Sequence, residues 1–302
     1  MLRLVACVLA LSACDAVYGL ANQDVEAQPC GPYGPATPVQ FAAGLSSPHD
    51  FSLGSDLSHG SVVQSIGAST IVTAVALGSG GVWDVDGDRD MNIPGGPNSG
   101  RIVGDGDLYS TETGDATRLD QRTFEGSSSQ WASDGVVLVD ARFDLDIGNV
   151  VTPLGSDGTP QEHVGVVLER TKDLSQAVST LVAIRRAQPF SSNNWKLDAD
   201  LIAPLTNDGN LAAVGQGVLT LDRQALIYAA SYTPGGDLDL FISARDSVSG
   251  EFPTGTRLDS VSVDGVDDSA PSIDAACTTI VFERGDQTLM ATSTSRGSGS
   301  SE

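Results

Sequence analysis

The densest run of chemistry-bearing side chains is Asp84-Val85-Asp86-Gly87-Asp88-Arg89-Asp90-Met91-Asn92, in which carboxylates stand at alternate positions. A hard cation such as Ca2+ takes about six to eight oxygen ligands, and Asp84, Asp86, Asp88 and Asp90 would supply several from one short segment. A helix-flanked calcium loop is excluded: glycine stands at the fourth position instead of the sixth, and Gly95 occupies the twelfth, where a bidentate glutamate is required. Two readings remain, a Ca2+-binding loop between strands or an acidic turn over residues 84–98 that joins two strands.

Other carboxylates come in pairs: Asp105 with Asp107, Asp144 with Asp146, and Asp264 with Asp267 and Asp268. The last group precedes Ser269-Ala270-Pro271 and fits turn chemistry, in which Asp side chains cap neighbouring backbone amides. Paired carboxylates can also hydrolyse glycosides, given a separation of about 5 to 10 Å that sequence spacing does not reveal. The three histidines, His49, His59 and His163, lack the short spacings of zinc sites, and no Cys-x-x-Cys is present. No nucleophile elbow is found, and Gly78-Ser79-Gly80-Gly81 lacks the lysine of a phosphate loop. No residue is therefore assigned a catalytic role. Trp83, Trp131 and Trp195 are expected to pack between sheets.

The elements that must hold these residues are short β-strands. Runs rich in β-formers recur at 69–77, 135–141, 164–169, 180–184, 217–221, 225–230, 238–244 and 278–283, each bounded by Gly, Asp, Ser or Pro. No long stretch has helical periodicity, so the fold class is all-β and antiparallel. Val218-Leu219-Thr220-Leu221-Asp222-Arg223-Gln224-Ala225-Leu226-Ile227-Tyr228 lies well beside Pro271-Ser272-Ile273-Asp274-Ala275-Ala276-Cys277-Thr278-Thr279-Ile280-Val281-Phe282. Each reads as a strand, an Asp-containing turn and a strand ending in an aromatic residue. A fainter copy spans Gln130 to Val139, and Gly106-Asp107-Leu108-Tyr109 echoes Gly236-Asp237-Leu238. A repeat of about 40 to 50 residues built from short strands is the mark of propeller blades.

With Gly236-Asp237-Leu238-Asp239-Leu240-Phe241, Asp267-Asp268-Ser269-Ala270-Pro271-Ser272 and Val281-Phe282, the stretch from Leu219 to Arg284 resembles the WD-like repeats of TolB-type β-propellers. The resemblance implies four-stranded antiparallel blades, and the chain length suggests six of them over residues 39–292. It says almost nothing about function.

Composition bounds the setting. The chain has 302 residues and a formal net charge of -23, with 16 Lys and Arg against 39 Asp and Glu, which disfavours nucleic acid as a partner. At the N-terminus, Arg3 and the apolar run Leu4 to Leu11 lead into Leu11-Ser12-Ala13-Cys14, which resembles a bacterial lipoprotein signal. That resemblance implies a signal peptide over 1–13, removed on export, and a lipidated Cys14. It further implies a flexible tether over 14–38 and anchorage in the cell envelope, on an outer membrane facing the periplasm or at the cell surface. The Ser- and Gly-rich tail, 293–302, is expected to be disordered. Once Cys7 leaves with the signal and Cys14 carries lipid, Cys30 and Cys277 remain as a candidate disulfide pair in an oxidising compartment.

The leading functional expectation is a monomeric, non-catalytic, lipid-anchored propeller that binds an envelope protein or a peptidoglycan-associated partner. It needs no cofactor, with Ca2+ at the acidic loop as an option. The alternative is a propeller hydrolase or lyase acting on an extracellular glycan, with or without Ca2+.

Overall fold

The computed structural model describes residues 30–54, 57–66, 69–87, 100–103, 107–112, 115–125, 130–140, 142–152, 162–172, 179–187, 195–198, 200–248 and 250–294. Two short strands come first, β1 (Thr37–Pro38) and β2 (Gln40–Phe41). An antiparallel meander follows: β3 (Pro48–Leu53), β4 (His59–Ile66), β5 (Ser69–Leu77) and β6 (Val82–Val85), with β2 added in parallel along β6. The second sheet is β7 (Gly100–Val103), β8 (Asp107–Glu112), β9 (Asp115–Glu125) and β10 (Gln130–Val139). The third is β11 (Phe143–Val151), β12 (Glu162–Thr171), β13 (Ser179–Ala187) and β14 (Lys196–Leu197). After a helical turn at Ala203–Thr206 comes the fourth, β15 (Ala213–Leu219), β16 (Ala225–Ser231), β17 (Asp239–Ala244) and β18 (Thr256–Arg257). The last comprises β19 (Asp268–Ile273), β20 (Thr279–Arg284) and β21 (Gln287–Thr292), completed by β1.

The first long strands of the sheets, β3, β7, β11, β15 and β19, lie side by side in a circuit that returns from β19 to β3. The described residues thus form a β-propeller arrangement, with four four-stranded sheets and one five-stranded sheet. The six blades expected from length are corrected to five sheets among the described residues. Strands such as β4, β9, β10 and β12 run 8, 11, 10 and 10 residues, so each blade consumes more chain than short strands would.

Closure is made by the N-terminal segment. Thr37 pairs with Met290 and Pro38 with Leu289, Tyr33 bridges to Ser293, and Cys30 is disulfide-bonded to Cys277 across a Cα–Cα distance of 5.3 Å. Residues 30–38, expected to be part of the tether, therefore belong to the fold, because Tyr33 is buried and β1 supplies the outer strand of the last blade. Ser293 and Thr294, expected in the frayed tail, are likewise bonded, Thr294 N–H donating to Pro32 O at 3.0 Å. Residues 1–29 and 295–302 lie outside the described residues, and so do Cys14 and the signal segment.

The core lies between blades. Leu145, Ile147 and Val150 of the third sheet pack on Leu119 and Val137 of the second, and Leu168 and Leu181 face Val214, Leu226 and Tyr228 of the fourth. Ile227, Ala229 and Leu240 meet Ile280 and Phe282, and Phe51, Val62 and Trp83 meet Val281. A strand sandwiched between two neighbouring sheets has no solvent face, so β16 reads Ala-Leu-Ile-Tyr-Ala-Ala-Ser with every residue buried instead of alternating. Outer strands β1 and β14 are fully exposed, and proline or lysine there blunts the open edge.

The turns from first to second strand repeat in three blades. Gly54 N–H donates to His59 O, Thr220 N–H to Ala225 O and Asp274 N–H to Thr279 O, while Leu57, Arg223 and Cys277 each take a left-handed φ of 60, 62 and 53°. The paired segments around Thr220 and Asp274 are thus structurally equivalent. The fainter copy at 130–139 is not: it lies within the single strand β10, where a register shift between Ser133 and Gly135 takes the place of a turn.

Candidate active site at the propeller axis

Four of the five inner strands slip register in mid-strand, between His49 and Ser52, Ile147 and Asn149, Val214 and Gly217, and Ser269 and Ser272. A bulge re-aims the groups beside it, and here each bulge turns one acceptor towards the same point. Arg101 of β7 sits there, wholly buried. Its Nη2 donates to Asp50 Oδ1 at 2.6 Å and to Gln216 Oε1 at 3.1 Å, and its Nη1 to Pro271 O at 2.8 Å and to Gly148 O at 3.4 Å. One guanidinium thereby ties together all five inner strands.

The bulge geometry explains these residue types. Asp50 and Ala270 adopt left-handed φ of 50 and 49°, conformations that cost an L-residue energy unless the surroundings fix them. For Asp50 the fixing contacts are the ion pair to Arg101 and a backbone N–H donated to Glu283 Oε1. Asn149 clamps the third blade to the fourth, its side chain donating to Leu219 O at 2.7 Å and accepting from Leu219 N–H at 2.8 Å.

A second carboxyl shares the centre. Asp146 Oδ2 accepts from Gln216 Nε2 and lies 3.4 Å from Nη2 of Arg170, which is half exposed. Asp146 Oδ1 is buried and has no hydrogen-bond partner among the described residues. Burial, and after it the charge of Asp50, pushes the Asp146 carboxyl up to about 6, against the pull of Arg101, Arg170 and Gln216. Glu283 is also raised, first by burial. One buried arginine thus serves more carboxyl groups than it can neutralise, and Asp146 takes up its proton at a higher pH than an ordinary aspartate. A carboxyl of this kind can give a proton to a leaving group or take one from water.

The residues expected from sequence are dispersed. Asp84 is exposed and accepts from Val85 N–H at 2.8 Å, Asp86 is buried 3.9 Å from His59, and Asp88 and Asp90 lie outside the described residues. Among the described residues no group of three or more His, Cys, Asp or Glu could hold a metal ion. His49, His59 and His163 sit on β3, β4 and β12, the first beside Ser47 O and the last bonded to Thr152 and stacked near Trp195. Trp83 packs against Phe51 at 4.8 Å between ring centroids, and the Trp131 side chain lies outside the described residues. Asp268 accepts from the nearby Val263 N–H at 2.9 Å, whereas Asp267 accepts at 2.8 Å from Leu238 N–H, 29 residues away and outside the turn. Asp146 was visible as one of the acidic pairs, whereas Asp50, Arg101, Gln216 and Glu283 carried no motif.

No protein-family model matches the chain, and neither does any curated protein. Solved structures of similar arrangement include the gluconolactonase XC5397 of Xanthomonas campestris, 13% identical, covering 88% of this chain and 98% of that one, with a TM-score of 0.38. A putative 6-phosphogluconolactonase of Bacteroides uniformis is 12% identical over 74% of this chain, which spans 59% of that protein, with a TM-score of 0.39. A subtype N11 neuraminidase-like protein from a flat-faced bat virus is 12% identical over 86% of this chain and 94% of its own, with a TM-score of 0.41. The expected non-catalytic binding module is corrected at this point. Two of these structures are named as lactonases, and the axis carries a buried carboxyl whose pKa is raised.

Proposed function

We propose that this chain is an exported hydrolytic propeller enzyme acting on a sugar-derived substrate, with Asp146 as its proton-transferring group. The observation that carries the reading is the Asp146 carboxyl itself, buried at the axis with one oxygen unpartnered and its pKa raised to about 6. Strongly perturbed carboxyls beside specific charge partners concentrate at catalytic sites, because a general acid or base works best when poised near the operating pH. Arg101 and Asp50 hold the bulges that aim Asp146 and Gln216. Arg170, half exposed and 3.4 Å from Asp146, is the solvent-facing cation of this cluster and would offset charge developing on oxygen. Export through the segment 1–13 and anchorage by lipid on Cys14 complete the reading.

The test is turnover by the mature chain of a panel of aldonolactones, followed by proton release in a pH-stat, and of aryl glycosides, followed by absorbance of the released phenol. Turnover with an inflection near pH 6, reduced about 10²- to 10⁴-fold by Asp146→Asn, supports the assignment. Absence of turnover above the uncatalysed rate on the whole panel would sink it.

A further inference from the structure

In a chain with 16 Lys and Arg against 39 Asp and Glu, cations gather at one place away from the axis. Arg185 lies near the end of β13, Lys196 opens β14, Arg223 sits in the turn from β15 to β16, and Arg245 follows β17. These elements meet at the end of the third and fourth blades where β12 begins, the opposite end of β12 from Arg170. A pocket of about 300 Å³ opens there, lined by Arg185, Lys196, Ala187, Leu197 and Asp198.

The local charge is only partly balanced. Arg185 pairs with Asp198 at 2.6 Å and with Glu162 at 3.2 Å, and Glu162 is shared with Arg223. Lys196 is exposed and has no carboxylate partner among the described residues. The Nε atoms of Arg185 and Arg223 are buried without an acceptor there. Arg245 stacks over Phe252 at 4.5 Å, spends donors on the carbonyls of Arg223 and Gly250, and has its pKa lowered to about 10, first by burial and then by Arg223 and Arg185. Asp198 and Glu162 offset Arg185 and Arg223, whereas Lys196 and Arg245 form no ion pair with a carboxylate among the described residues. The pocket floor adds exposed apolar surface, with Leu197 56% accessible.

We propose that this pocket is a binding site for a small organic oxyanion, a carboxylate or a phosphate ester, held by Arg185 and Lys196 with its carbon body on Leu197 and Ala187. Each Nη of Arg185 keeps one N–H beyond those given to Glu162 and Asp198, and the neighbouring ammonium of Lys196 adds a point charge. The site is separate from the axial centre and stands whether or not Asp146 is catalytic.

The test is titration calorimetry of the full mature chain with inorganic phosphate and with gluconate, at constant ionic strength set by chloride. Saturable binding of either, weakened about tenfold or more by Lys196→Gln, supports the site, since Lys196 is exposed and its replacement leaves the fold intact. Binding of phosphate alone identifies a phosphate ester, and binding of gluconate alone a carboxylate. No saturable heat with either anion, or equal binding by wild type and Lys196→Gln, overturns the proposal. Thermal unfolding of both proteins in chloride confirms that the variant is folded.

Discussion

Arg101 and Asp50 meet at the propeller axis, Nη2 to Oδ1 at 2.6 Å, with the arginine side chain wholly buried and the aspartate held in a left-handed backbone conformation. The pair joins the first two blades directly. Through the other Arg101 donors it reaches Gly148, Gln216 and Pro271 in the remaining three. Removing one partner of a buried ion pair leaves an uncompensated charge and costs about 3 to 5 kcal/mol. Arg101→Met should therefore lower the stability measured by denaturant unfolding by about that much. Asp50→Asn should also destabilise, and the double variant should lose less than the sum of the single losses, because each single change strands the same partner. Additive losses would show that the two residues act independently.

Asp146 sets the pH dependence. Its folded pKa is raised to about 6 from the ordinary aspartate value of 3.8, so between these values the folded chain binds a proton that the unfolded chain has released. The stabilising contribution is complete below the unfolded value and is lost as pH rises through about 6. Glu283 and Asp268, also raised, act in the same direction. Asp146→Asn should remove this component. Relative to wild type, the variant should gain stability as pH goes from 5 to 8 while losing turnover, which is the signature of a site strained for chemistry. Parallel stability curves for the two proteins across that range would contradict the assignment.

The strands were legible where apolar runs stood between turn residues: the expected 69–77 is β5 to the residue, and the turns at Thr220 and Asp274 match in hydrogen bonding and φ. The axial centre was not legible, because a propeller draws one residue from each blade. Arg101 lies 51 positions from Asp50 and Gln216 lies 70 from Asp146, so no local spacing announces their meeting. The faint signal was polar residues inside otherwise apolar strands, such as Gln216 between Gly215 and Gly217. The acidic loop misled for the opposite reason: Asp84 to Asp90 are adjacent in sequence, yet Asp84 is exposed and Asp86 is turned inward beside His59.

The disulfide between Cys30 and Cys277 closes a sequence separation of 247 residues and fastens the segment that completes the last blade. Tyr33, 3% exposed, packs behind it with its hydroxyl donating to Cys277 O at 3.3 Å. A loop of this size restrains the unfolded chain by about 3 to 5 kcal/mol. Reduction, or Cys30→Ser, should lower the unfolding free energy by about that amount, and the two treatments should give coincident denaturation curves. An unchanged midpoint under reductant would mean that β1 is held by its hydrogen bonds and by Tyr33 alone.

Gly148 and Gly217 let the third and fourth blades pack backbone to backbone. A Cβ added to Gly148 would overlap the Gly217 carbonyl oxygen, a backbone atom with no rotamer to yield, and Val166 O stands at 3.2 Å on the other side. The Gly148 carbonyl is also one of the Arg101 acceptors, so separating these strands would disturb the axis as well. Overpacking of this kind costs about 1 to 3 kcal/mol or more. Gly148→Ala is expected at the upper end, because the clamp from Asn149 to Leu219 opposes any outward movement of β11. Gly209, around which a Cβ meets nothing within 4 Å, is the control, and its alanine variant should unfold within about 0.5 kcal/mol of wild type. Since Gly148 lies two residues from Asp146, Gly148→Ala should depress turnover beyond its effect on the folded fraction. Equal stability of the Gly148 and Gly209 variants would show that the blades can part without cost.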